Sequence, residues 1–414
     1  MNKQLIFMIL MTTYGVLGGL LGHGYVAVWV YYMFALLRPQ FLWPWALPLG
    51  TTWSLYPALA SLVAIGVTRV RRPGFVFHWP HLCMVFFLLW MWISAINAQN
   101  RDTAFIWLWE SFKLILMYVV AAYFIQSTRQ LWHLYILGIC CLGFIAYEVN
   151  FQYFVHRNMS IQRNGFGGYD NNGAGLMLAM GVPLAFFAFE ATRNWVRWFY
   201  LALMPILGHA MLLTFSRGAM VSLIVAWLVV IIRSRYRFSL AALTVLFCVT
   251  ALPIVAGKEI QERFFTISKS EVDESANSRR MSWAAAWKMS LDYPLFGVGV
   301  RNSNLFSYSY GADMPGRTIH NQYLQVLADT GFPGLFFYSL ILLGFWISTS
   351  WGTWASYEPG VDEETAEQLS QLRAIIGGSQ ASMIAFSIGA IFLSLETFEL
   401  TYFVILLGVQ GQIL

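Results

Sequence analysis

Between Arg317 and Gly334 the chain reads RTIHNQYLQVLADTGFPG, a polar stretch holding His320 that runs straight into an apolar span. A histidine, an asparagine, a tyrosine and an arginine at the edge of a membrane are costly to desolvate, which marks residues kept for chemistry. Thr318 stands where an N-cap would, Gly331 where a helix ends and Pro333 where the next begins. His320 is therefore expected in a first helical turn, with Tyr323, Leu324 and Leu327 on its face. A helix N-terminus disfavours the imidazolium, leaving a neutral ring that can accept a proton, and favours a nearby anion such as a phosphate. An isolated histidine is more often a hydrogen-bonded structural residue, so its neighbours decide.

What must position these residues is a membrane anchor. Of 414 residues 58% are hydrophobic and 11% charged, against roughly 25% charged in a soluble domain. Apolar runs of about 17 to 20 residues recur from end to end, the length needed to cross a hydrocarbon core of roughly 30 Å. The short alternating segments of a β-barrel are absent. Candidate spans are 4–21, 24–37, 51–68, 80–97, 111–127, 130–149, 172–190, 198–214, 218–233, 238–256, 332–349, 374–394 and 399–413, so an all-α polytopic protein of about 12 transmembrane helices is expected. The division is 1–256, a bundle with short loops; 257–331, one long external segment; and 332–414, the closing helices.

The net charge of +5 reflects topology and calls for no nucleic-acid partner. Basic clusters at RVRRPG (69–74), STRQ (127–130), TRNWVR (192–197) and RSRYR (233–237) fall on one side, which is expected to be cytoplasmic. The segment 257–331 then lies on the opposite face. Lys3 precedes an apolar run that lacks a cleavage site and is expected to be retained, and residues 4–37 form either one interrupted span or a re-entrant hairpin. Cys83, Cys140, Cys141 and Cys248 all sit in apolar runs and are read as buried hydrophobes, with no disulfide or zinc site.

Residues 198–233 as one helix would be about 54 Å long, so the chain is expected to turn at Ser216-Arg217-Gly218 and leave Arg217 on the external surface. On its own Arg217 reads equally well as an interface arginine snorkelling to water. The external loop 150–171 carries Arg157 and Arg163, and Asn172 opens the next helix. The long segment holds eight basic and eight acidic residues. A charged linker is followed by a helix capped by Asn277 or Ser278, on which Arg280, Trp283 and Trp287 share a face as in an interfacial amphipathic helix. PLFGVGVRNSN is then a glycine turn carrying Arg301. Glu396 and Glu399, in SLETFEL, read as polar residues at helix ends with no chemistry assigned.

The chain shows no HExxH, EF-hand or Walker motif, and no Asp or Glu precedes Asp102. The paired carboxylates with which metal-dependent membrane glycosyltransferases begin are thus missing, and a metal-free mechanism without a cofactor is expected. Fixed guanidinium groups suit a pyrophosphate and the charge that grows as it leaves. A neutral histidine suits an attacking hydroxyl. Together they fit attack of an alcohol on an anomeric carbon with lipid pyrophosphate as leaving group.

FSRGAMVSL (215–223), RRMSWAAAWKMSLDYPLFGVGVRN (279–302) and HNQYLQVLADTGFPGLFFY (320–338), with QRNGFGGYDNNGAG (162–175) before them, resemble the signature segments of the O-antigen ligase and polymerase superfamily. The resemblance covers about residues 80 to 350; each motif alone is weak and their order is specific. It implies a GT-C-like enzyme of the bacterial inner membrane with a periplasmic active site, moving a glycan from undecaprenyl pyrophosphate to lipid A-core with inversion. Among membrane lipids its partners would be that donor and that acceptor. It casts His320 as the base or hydroxyl-positioning residue and Arg217, Arg163, Arg280 and Arg301 as pyrophosphate ligands, Arg301 departing from the usual pattern. Asn321, Tyr323 and Asn172 are supporting groups. O-antigen polymerases, protein O-oligosaccharyltransferases and an exosortase-associated branch share the donor chemistry. A transporter of lipid-linked sugars would show repeats and midplane charges, which this sequence lacks.

Overall fold

A backbone in hydrocarbon has no water to bond, so each apolar run closes its hydrogen bonds internally as a helix. The computed structural model describes residues 2–48, 50–70, 76–234, 236–250, 274–351 and 362–414, and among these there are helices, turns and loops but no strand. The helices are α1 (Lys3–Leu20), α2 (Gly24–Leu37), α3 (Pro39–Leu42), α4 (Leu55–Val67), α5 (Trp79–Ile96), α6 (Arg101–Phe124), α7 (Thr128–His156), α8 (Ser160–Asn164) and α9 (Asn171–Ala191). They continue with α10 (Arg197–Leu212), α11 (Arg217–Arg233), α12 (Arg237–Thr250), α13 (Glu274–Asp292), α14 (Asn302–Phe306), α15 (Gln322–Trp351), α16 (Glu363–Gly389) and α17 (Glu399–Ile413).

Among the described residues, six helices are long and apolar enough to cross a membrane: Lys3–Leu20, Trp79–Ile96, Arg101–Phe124, Thr128–His156, Asn171–Ala191 and Gln322–Ser350. Leu10, Leu21, Val63, Ile106, Phe238 and Val249 are exposed, a large apolar surface that a polytopic protein turns to lipid. The expectation of an all-helical, multi-pass membrane protein therefore holds at that level. Of the sequence features read above, Arg71, Arg72, Arg235, the charged linker before Glu274 and the chain from 352 to 361 lie outside the described residues.

The N-terminal region is a hairpin. Gly15 packs on Val30 and Gly18 on Val26, so α1 and α2 run antiparallel, with α1 outside and α2 buried nearly all round. The centre is built from α9 and α16 packed together, with α17 also buried. Close crossing there depends on small residues; a methyl on Gly175 would lie 2.6 Å from Thr214 Oγ1. Cys83 and Cys141 are buried free thiols, and Cys140 is free and exposed.

The polar segment is sewn onto this bundle through one backbone seam. Val298 N–H donates to Ala328 O (2.9 Å), Gly299 N–H to Asp329 O (3.0 Å) and Phe332 N–H to Pro294 O (2.9 Å), while Gln99 N–H, from the α5–α6 loop, donates to Val298 O (2.9 Å). This seam forms where α15 is interrupted at Gly331 (φ 74°, ψ −177°), a conformation essentially restricted to glycine. A Cβ there would stand 2.3 Å from the Leu295 carbonyl oxygen. Gly331→Ala is expected to lower stability by about 2–4 kcal/mol, read as a fall in Tm of the detergent-solubilised protein. An unchanged Tm would mean that the seam yields at no cost.

One local expectation is corrected. The helix begins at Gln322, and its cap is Asn321, whose Oδ1 accepts the N–H groups of Tyr323 and Leu324 at 3.0 Å each. Thr318 is not the cap, and His320 precedes the helix in a left-handed conformation (φ 54°). The cause is tertiary: Ile319 is fully buried in a small core with Ala285, Ala286, Met289 and Ala328, and the chain must bend sharply after it to enter the helix.

Candidate active site

Four separate parts of the chain meet at His320. Its N–H donates to Ser394 Oγ (3.1 Å), in the segment between α16 and α17. Its carbonyl accepts from the Trp283 indole N–H on α13 (3.3 Å). Ser394 donates in turn to Gln325 Oε1 (2.8 Å), and the Gln325 amide donates to Ser303 Oγ (2.7 Å) and Asp329 Oδ2 (2.9 Å). Ser303 N–H closes the network on Asp329 Oδ1 (2.9 Å). A side chain in a left-handed position is thus fixed from both backbone groups, with no reliance on a helical register.

The ring lies in a cationic setting. Burial first, then Arg279, with Arg317 and Arg301, pushes the His320 imidazole down to about 4, while Asp170 opposes the shift. The residue stays neutral near pH 7, as the sequence suggests. The physical cause is burial and neighbouring guanidinium groups, where the sequence reading relied on a helix dipole. Arg317 is itself tied to Asp313 (Nε to Oδ1, 2.7 Å).

Asp170 reaches the site from the loop before α9. Its Oδ1 caps that helix by accepting Gly173 N–H (2.8 Å). Asn172 Oδ1 accepts from Ser216 Oγ (2.8 Å) and Asn171 donates to the Thr214 carbonyl (3.0 Å), which locks this loop to the turn before α11. Ser216 caps α11 by accepting Ala219 N–H (3.2 Å), so the break comes at Ser216-Arg217-Gly218 as helix length demands. Arg217 opens α11 half-buried, and a methyl on Gly218 would touch Phe392 at 3.5 Å. Phe392 lies in the same segment as Ser394, which holds the His320 N–H.

Arg38 supports the same loop from α2. Its guanidinium donates to the Gly167 carbonyl and to Tyr169 Oη (2.5 Å) and lies over the Tyr169 ring at 4.1 Å.

Of the candidates read from sequence, His320, Asn321 and Arg301 stand here, while Asn172 and Arg217 lie where the Asp170 loop meets the start of α11. Tyr323 turns away to donate to the Ser387 carbonyl (3.0 Å) and anchors α15 to α16. Arg163 and Arg280 are exposed, and neither they nor Arg217 are among the charges acting on the His320 ring. On α13 it is the neighbouring Arg279 that acts, one helical position and therefore about 100° away. Asp170, in the external polar loop, and Glu396, at a helix end, were given no role by sequence, and Arg279, Ser394 and Arg38 were not picked out. For Asp170 the signal was present, since DNNG before an apolar run is a capping pattern.

The arrangement is a neutral imidazole with arginines acting on it. It can hold a polyanion and take or orient the proton of a hydroxyl. Residues 201–339, which span α10 to the first turns after Gly331, match the O-antigen ligase family. No curated protein matches the chain.

Proposed function

From the match of residues 201–339 to the O-antigen ligase family, we propose that the chain is a member of that superfamily and transfers a glycan from undecaprenyl pyrophosphate to a sugar hydroxyl of lipid A-core, as an O-antigen ligase. The observation that carries this reading is the buried, neutral His320 held among Arg279, Arg317 and Arg301. In this reaction the acceptor oxygen attacks the anomeric carbon and the bond from that carbon to the pyrophosphate oxygen breaks. The hydroxyl proton passes to His320, and the arginines take up the charge that grows on the departing pyrophosphate. Attack from the face opposite the leaving group inverts the anomeric carbon. No metal is assigned a part, because cationic side chains supply the charge. The division into 1–256, 257–331 and 332–414 then separates anchor, reacting segment and closing helices, in an inner membrane with the site facing the periplasm.

Product analysis tests the reading. Purified protein in lipid receives undecaprenyl-pyrophosphate glycan and lipid A-core, with chelator present. Glycan on lipid A-core is the expected result. Longer lipid-linked chains with untouched lipid A-core would make it a polymerase, and glycan on serine or threonine of a protein would make it a protein oligosaccharyltransferase.

The pH profile tests the role of the cationic ring. In the free enzyme burial, and after it the arginines, hold His320 low, so kcat/KM for donor should fall only as pH approaches 4. A pyrophosphate diester stays ionised across this range, and once bound it offsets the arginines and raises the imidazole. The acid limb of kcat is therefore expected about one to two pH units above that of kcat/KM. Coincident limbs would place the donor's charge away from the ring.

A further inference from the structure

The setting of Arg301 is unusual. The residue occupies a left-handed position (φ 60°) between the glycine turn and α14. Its guanidinium lies over the Trp107 ring of α6 at 4.5 Å, and its Nε is 3.7 Å from Glu396 Oε2. The arginine side chain is 19% exposed and the glutamate 8%. Among the described residues the guanidinium makes no hydrogen bond, although such a group has five donors that buried surroundings would ordinarily satisfy. With Nε turned toward Glu396, the outer fork of two nitrogens is left for a ligand, the geometry that receives phosphate oxygens in pairs.

Glu396 has no comparable explanation as a helix-end polar residue. Its Oε2 is buried without a hydrogen bond, and its backbone carbonyl is fixed by the Tyr402 hydroxyl (2.9 Å). Two residues before it, Ser394 holds the His320 N–H. The break between α16 and α17 therefore backs both the histidine and the arginine.

Building on the donor chemistry proposed above, we infer that Glu396 and Trp107 are positioning residues that hold the Arg301 guanidinium, fork outward, for the pyrophosphate of the lipid-linked donor. Trp107 supplies a flat shelf for the planar cation, and Glu396 fixes its inner edge. Burial and the neighbouring Asp329 push the Glu396 carboxyl up, and Arg301 opposes them.

The test is a double-mutant cycle on the full-length protein in lipid, reading the Kd for undecaprenyl pyrophosphate. Releasing the long side chain is expected to make Glu396→Gln bind about 3- to 10-fold more weakly than the parent. In an Arg301→Ala background the same substitution should change nothing, and Trp107→Leu should behave likewise. Equal weakening by Glu396→Gln in both backgrounds would show a merely structural role and overturn the inference while leaving the donor reading intact. Tighter binding by Glu396→Gln would show that Glu396 competes with the ligand as a counter-charge, and would overturn it also. Absence of binding by the parent protein would remove the donor reading and this inference together.

Discussion

Replacing His320 with asparagine is expected to lower the rate of glycan transfer by about 100- to 10,000-fold, the span associated with loss of a positioned general base. Asparagine is the informative choice because the position is left-handed (φ 54°). Asparagine accepts that conformation more readily than alanine, so backbone strain is kept out of the comparison. Its N–H can still donate to Ser394 and its carbonyl can still accept from Trp283, since both contacts are made by the main chain. The seam at Gly297–Gly299 and the Asn321 cap are untouched. Donor affinity should therefore stay within about 3-fold, because the pyrophosphate is held by arginines and a neutral ring adds little to binding an anion. The measurement is kcat beside the Kd for donor on the same preparation. A well-folded His320→Asn protein that retained transfer would remove the residue from the chemistry, and a parallel loss of donor affinity would make it a binding group.

Much of this site could be read from the sequence because its parts obey local rules. The turn at Ser216-Arg217-Gly218 follows from helix length and a serine able to cap. The glycine turn before Arg301 follows from residues tolerated where others are not. His320 itself stands out as an ionisable group at the edge of an apolar run. Its register does not, because the bend before Gln322 is set by Ile319 entering a core made by α13, which no local pattern announces. The same limit hides Arg279: choosing between adjacent arginines on an amphipathic helix requires knowing which face meets the ring. The segment 390–398 was least legible. Ser394 meets His320 across 74 positions of sequence, and Glu396 looks like any carboxylate at a helix end until Arg301 is seen against it. The count of membrane crossings is a different case, since helices such as α4, α11 and α17 are apolar but shorter than a full span.

Charge reversal at Arg217 should produce the largest loss of donor binding. Arg217 begins α11, so a guanidinium and the positive end of the helix dipole favour the same anion. Gly218 abuts Phe392, two residues from the serine that holds His320, which ties the start of α11 to the segment behind the histidine. Arg217→Glu is expected to weaken undecaprenyl-pyrophosphate binding by about 100-fold or more. Arg217→Lys, which keeps charge but loses paired donors, should weaken it by roughly 10-fold. Folding is not the reason, because a glutamate in the first turn complements the helix dipole and should leave Tm unchanged or slightly raised. Arg163→Glu, on exposed α8, is the control and should cost far less. If Arg217→Glu bound donor like the parent, Arg217 would be an interface arginine reaching for water, and the pyrophosphate would have to be held by Arg279, Arg301 and Arg317.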